Sequence, residues 1–143
     1  MSATLADASP VRAELASGVA VYRDAMARFR EKNVEALVVA AEPLLLRDAK
    51  AILEMTGAAR LPVICAWQQL AEAGCMLAYG PVLEPSQARL ASLIARILRG
   101  VAPKDIAVEP PARLELALNL KIAKALGVQI PDEMLLRADE IID

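Results

Sequence analysis

Three short stretches carry side chains able to hold a small polar molecule: Ala41-Glu42-Pro43, Trp67-Gln68-Gln69 and Tyr79-Gly80-Pro81. A carboxylate, an indole, two carboxamides and a phenol suit recognition better than turnover. The residues needed for turnover are missing. The chain has no histidine, which removes the commonest general base and the commonest metal ligand together. Ser2, Ser9, Ser17, Ser86 and Ser92 therefore have no histidine partner. There is no G-x-S-x-G, no Walker loop and no G-x-G-x-x-G. Asp139, Glu140 and Asp143 read as a solvated tail. Cys65 and Cys75 cannot build a four-ligand zinc site by themselves. Both lie in apolar runs and read as buried small hydrophobes, with a disulfide between neighbouring strands as the alternative. No catalysis, metal or cofactor is expected.

The elements that must position these residues follow from the pattern of apolar side chains. The segments 34–40, 61–66 and 75–79 are short and apolar, and the first two are β-branched; each reads as a buried strand, the first of them buried on both faces. Between and around them the apolar residues return at spacings of three and four. Ser9-Pro10 starts a helix whose stripe is Val11, Leu15, Val19, Tyr22, Met26 and Phe29. Arg47 to Thr56 is a second helix, stopped by Gly57, and 68–73 a third. Pro85 opens a fourth, with Leu90, Leu93, Ile94, Ile97 and Leu98 as its stripe and Gly100 at its end. Residues 106–111 and 113–119 are extended; a short helix follows, and Pro131 starts the last one. Strands alternating with helices imply an α/β fold: an open, mostly parallel sheet with helices on both faces. The expected organisation is a disordered tail over residues 1–10 and a single α/β domain over 11–143.

In open parallel sheets ligands sit beyond the carboxyl ends of the strands. That rule selects Glu42, Trp67, Gln68, Tyr79 and Gly80 as the ligand-binding candidates. Each of the larger three has a structural reading beside the functional one. Glu42 can cap the next helix, Trp67 can cover the sheet, and Tyr79 can hydrogen-bond a loop carbonyl.

Composition narrows the partners. The 143 residues are 57% hydrophobic and carry 16 Lys+Arg against 18 Asp+Glu. With no basic run and only four aromatics, Tyr22, Phe29, Trp67 and Tyr79, nucleic-acid binding is not expected. The apolar excess points to surface meant for a partner. The longest apolar stretch is broken by Glu42 and Pro43, short of the ~20 residues of a membrane span. The sequence "MSATLADASP" does not read as a signal peptide, so the cytoplasm is the default for the chain as written.

The run "EAGCMLAYGP", then "ILRGVAPKDIAVEPPARLELALNLKIAKALGVQIP", then "LLRADEII" closely resembles the C-terminal part of the ABC transporter substrate-binding proteins with a type 1 periplasmic-binding fold. The resemblance covers Val34 to Asp143, and implies one lobe of a two-lobed binding protein. It implies a small solute such as an amino acid, a transporter permease as partner, and a periplasmic or exported location. The family usually carries Gly-Gly where this chain has Gly74-Cys75, Met-Ser-Tyr-Gly where it has Leu77-Ala78-Tyr79-Gly80, and often an arginine where Gln68 stands. Tyr79 and Gly80 match. Two functional expectations follow. The first is a solute-binding component, or a truncated remnant of one, with its site at the strand ends. The second is a non-binding structural or regulatory remnant that uses the uncovered lobe face for dimerisation or a partner protein.

Overall fold

Side chains at alternating positions in five short strands build the centre of the molecule. The computed structural model describes residues 18–110 and 113–143; the expected tail and the Ser9-Pro10 helix start lie outside the described residues. Leu37–Val39 (β1), Val63–Cys65 (β2) and Leu77–Pro81 (β3) pair in parallel. Leu114–Asn119 (β4) runs antiparallel to β3, and Glu140–Ile142 (β5) pairs in parallel with β4. The order is β1-β2-β3-β4-β5. The fold is α/β with a mixed, mostly parallel sheet, as the alternation of strand and helix patterns implies.

Val39, Cys65, Ala78 and Ala117 are level in the register and all buried. This row, with Val63, faces three helices: Val19–Glu31 (α1), Ala49–Ala58 (α3) and Gln69–Ala73 (α4). They contribute Tyr22, Ala49, Ile52, Leu53, Leu70 and Ala71 to one core. In α1, Tyr22, Ala25 and Phe29 lie inward at spacings of three and four, the helical period itself. The alternate row shows the other face, and there Val38 is 71% exposed and Ile141 45%. The expectation that 34–40 is buried on both faces is therefore not met. β1 is one of the two edge strands, and Val38 stands exposed among the described residues.

Two short helices meet at Asp48. Pro43–Arg47 (α2) begins with its proline at the first helical position, where the missing N–H costs nothing. Asp48 separates it from α3, accepting from the Tyr22 hydroxyl at 2.7 Å and from Arg47 Nε at 2.7 Å. Gly57 does not stop α3, which continues to Ala58; the chain turns at Arg60, where φ is 53°. The Arg60 guanidinium reaches the Ala125 carbonyl at 2.9 Å and secures that turn.

Beyond β3 come Leu83–Leu98 (α5), a 3-10 turn at Pro103–Asp105, and β4, followed by Leu120–Leu126 (α6), Asp132–Arg137 (α7) and β5. α5 starts two residues before Pro85 and buries no residue. Of its expected stripe, Leu90, Ile94, Ile97 and Leu98 are exposed and Leu93 is half-buried. Asn119 caps α6, its Oδ1 accepting from the Ile122 amide at 2.9 Å while its Nδ2 donates to the Ala71 carbonyl at 2.8 Å. This buried side chain has partners at both ends.

The structure departs from two sequence expectations. The acidic tail is a solvated end only in part: Asp139 and Asp143 are exposed, but Glu140 is half-buried and Glu140–Ile142 closes the sheet as β5. Cys65 and Cys75 are buried, as expected, but they are also joined as a disulfide. Among the described residues, no helix is long and apolar enough to cross a membrane.

Candidate functional site

Strand direction determines which residues meet at the candidate site. β1, β2 and β3 are parallel, so their carboxyl ends share one end of the sheet. β4 runs the other way and β5 follows β4, so this same end receives the starts of β4 and β5. Continuing the register one step past Cys65 and Ala78 brings Ala66, Tyr79, Leu116 and Asp139 level; one further step brings Trp67, Gly80 and Glu115 level. Trp67 and Tyr79 thus lie one row apart at the same end.

Each sequence-selected residue has a definite place there. Glu42 is exposed at the N-cap position of α2, but its side chain makes no capping bond. Trp67 is 7% exposed and belongs to the core cluster. Tyr79 is 55% exposed, and among the described residues its hydroxyl makes no hydrogen bond. Strand alternation puts it on the face opposite Ala78. Gly80 lies so close to the neighbouring strand that a Cβ there would overlap the Ala66 carbonyl. Its lack of a side chain is a packing requirement between β2 and β3. Gln68 is half-buried, and its Nε2 donates to Glu140 Oε2 in β5.

The strand-end rule missed a second group at this rim. Arg113, just before β4, lies 3.1 Å from Glu115 and 3.3 Å from Asp139. The Leu116 amide donates to Asp139 at 2.9 Å. That backbone bond, with the Arg113 guanidinium beside it, holds the Asp139 carboxyl below its ordinary value. With Glu140, these groups give the rim three carboxylates and one guanidinium. The alternation of Leu114, Leu116 and Leu118 marked a strand but not its direction, and direction is what delivers Arg113 to the site. The chain also leaves the sheet at this end. It departs after Pro81 and returns at Leu114, and the Val82 amide bonds the Arg113 carbonyl at 3.3 Å. The excursion between carries α5.

The family model "ABC transporter substrate binding protein" matches residues 19–142. The chain belongs to this family. Solved structures share the fold of this substrate-binding family member. A Streptococcus pneumonia ABC domain, solved in complex with L-Trp, is 18% identical with a TM-score of 0.72; the match covers 87% of this chain and 41% of that one. A conserved domain protein from Vibrio cholerae is 23% identical with a TM-score of 0.76, covering 86% and 41%. An open, ligand-free substrate binding protein with adhesive properties from Clostridium difficile is 19% identical with a TM-score of 0.58, covering 89% and 42%. The chain thus spans about two-fifths of the length of these structures. No curated protein matches it.

Proposed function

We propose that this chain is a solute-binding component of an ABC transporter, holding a small solute such as an amino acid at the rim where β1, β2 and β3 end. Membership of the substrate-binding family carries this reading. The strand-end rule for ligands in open sheets and the neighbour solved with L-Trp support it. Glu42, Gln68, Tyr79 and Gly80 form the proposed contact surface, and Trp67 forms its apolar backing. Tyr79 is the one exposed aromatic among the described residues, and its ring offers stacking area with a polar tip. Gln68 presents a carboxamide where the family often has arginine, so a solute carboxylate loses a bidentate partner there. A small ligand is normally buried by about 70–90%. One rim is one wall, so tight capture needs a second wall to close over it. The permease is the proposed downstream partner, and the exported side of the membrane the proposed location.

Calorimetry with L-tryptophan, a panel of other amino acids and small organic acids tests the reading. Binding of at least one solute, weakened tenfold or more by Tyr79→Ala in a chain of unchanged fold, is expected. No heat with any of them, from chain shown to be folded, overturns it.

A second reading rests on α5. Leu90, Ile94, Ile97 and Leu98 are 58%, 48%, 41% and 82% exposed, so the helix offers an apolar stripe that is left uncovered among the described residues. In this reading the lobe is a remnant that self-associates through that face. Sedimentation over a range of concentrations decides between the two. A stable dimer dispersed by Ile94→Glu, in a chain that binds no solute, favours the second. A monomer that binds solute excludes it.

A further inference from the structure

Cys65 ends β2, and Cys75 stands two residues before β3. Their Cα atoms are 6.3 Å apart, inside the roughly 4.4–6.8 Å span a disulfide bridges. Both are buried, at 2% and 0% exposure. The residues they enclose are the turn after β2 and α4. That loop carries Trp67 and Gln68, and also Ala66, whose carbonyl abuts Gly80. Backbone bonds shape it from within: Leu70 N to the Trp67 carbonyl at 3.0 Å, Ala71 N to the Gln68 carbonyl at 2.8 Å, and Cys75 N to the Leu70 carbonyl at 2.8 Å. At Gly74, φ is +125°, a turn that a side chain would strain.

We infer that the Cys65–Cys75 disulfide is a brace that positions the Trp67–Gln68 wall of the rim. The wall's importance rests on the solute-binding reading; the brace rests on the geometry alone. In forming it each thiol loses its proton and the pair gives up two electrons. A thiol–disulfide oxidant takes those electrons, and its own disulfide becomes a dithiol as the new bond forms. A crosslink ordinarily acts on the unfolded chain by closing a loop. Here the closed loop is itself one wall, so the bond also ties both of its feet in the native state. Without the bond, two buried thiols still pack as small hydrophobes. The sheet stands, and the turn and α4 open locally more often.

The test uses the 143-residue chain refolded with oxidised glutathione. Thiols are counted by alkylation and mass in denaturant without reductant. None is expected, and two free thiols overturn the proposal. The phosphine-reduced chain and a Cys65→Ala/Cys75→Ala variant are then compared with the oxidised chain. The probes are acrylamide quenching of Trp67, the chain's one tryptophan, and hydrogen exchange of the 68–74 amides against Ala117 and Leu118. A several-fold rise in quenching and about tenfold faster exchange in 68–74, with β4 unchanged, are expected. Equal quenching in all forms, or an acceleration shared by β4, overturns the brace. Unfolding of both altered forms overturns it too, because the bond is then a condition of the whole fold. No solute is needed, so a chain that binds nothing still answers the question.

Discussion

Gln68 and Glu140 are hydrogen-bonded to each other although 72 positions separate them in the chain. The bond joins the turn after β2 to the start of β5, and β3 and β4 separate these two strands in the sheet. It ties the last strand to the rim of the candidate site. Gln68→Ala removes the donor and leaves a half-buried carboxylate to find water. A loss of about 1 kcal/mol is expected. Faster hydrogen exchange at Ile141 and Ile142, with β1 and β2 unaffected, is the check.

Gly80 tolerates no side chain. The atom that a Cβ would strike is the Ala66 carbonyl oxygen, which belongs to the backbone and cannot rotate away. Gly80→Ala must push β2 and β3 apart, at a cost of about 1–3 kcal/mol. A lower denaturant midpoint with an unchanged slope is the expected result.

Asn119 joins two elements through one buried amide. Replacement by alanine removes the N-cap of α6 and leaves the Ala71 carbonyl without its donor. The expected loss is about 2–3 kcal/mol. Asn119→Asp keeps an acceptor for the Ile122 amide but supplies no N–H to Ala71. It is expected to recover part of the loss, measured by thermal or urea unfolding.

Asp48 makes stability fall in acid. The Arg47 side chain, then the Tyr22 hydroxyl, hold its carboxyl down to about 2, against roughly 3.9 in an unfolded chain. Between those values the unfolded chain binds more protons than the folded one, so the contribution is complete above the higher value. It is lost as pH falls through the lower one. Burial, with Asp48 beside it, raises the Tyr22 phenol. Tyr22→Phe removes one of the two supports. Its acid loss between pH about 5 and about 2 should therefore be smaller than that of the parent chain, as read from urea midpoints at each pH.

The strands and most helices were legible because their information is local. Apolar runs 34–40, 61–66 and 75–79 read as strands wherever they sit, and the structure has strands within or across each, at Leu37–Val39, Val63–Cys65 and Leu77–Pro81; Leu114, Leu116 and Leu118 alternate in any setting. The stripe on α5 was equally visible in the sequence. Its fate was not, because periodicity states that a face is apolar and leaves open what covers it. Gly57 read as a stop, but a glycine can continue a helix when the next residues pack well, and the turn fell to Arg60 instead.

Local pattern determined the α/β class, the parallel β1-β2-β3 block and the end of it at which Trp67, Gln68 and Tyr79 gather. The direction of β4 was decided only in three dimensions. The reversal at β4 brings Arg113, Glu115, Asp139 and Glu140 to that same end, turns a charged tail into β5, and gives Gln68 a partner. The reason is physical: helical crossovers fix the direction of β1, β2 and β3, but side-chain alternation in β4 has the same period in either direction, so there only long-range pairing selects one. The disulfide was decided the same way, because nothing in the spacing of Cys65 and Cys75 requires their strands to be neighbours.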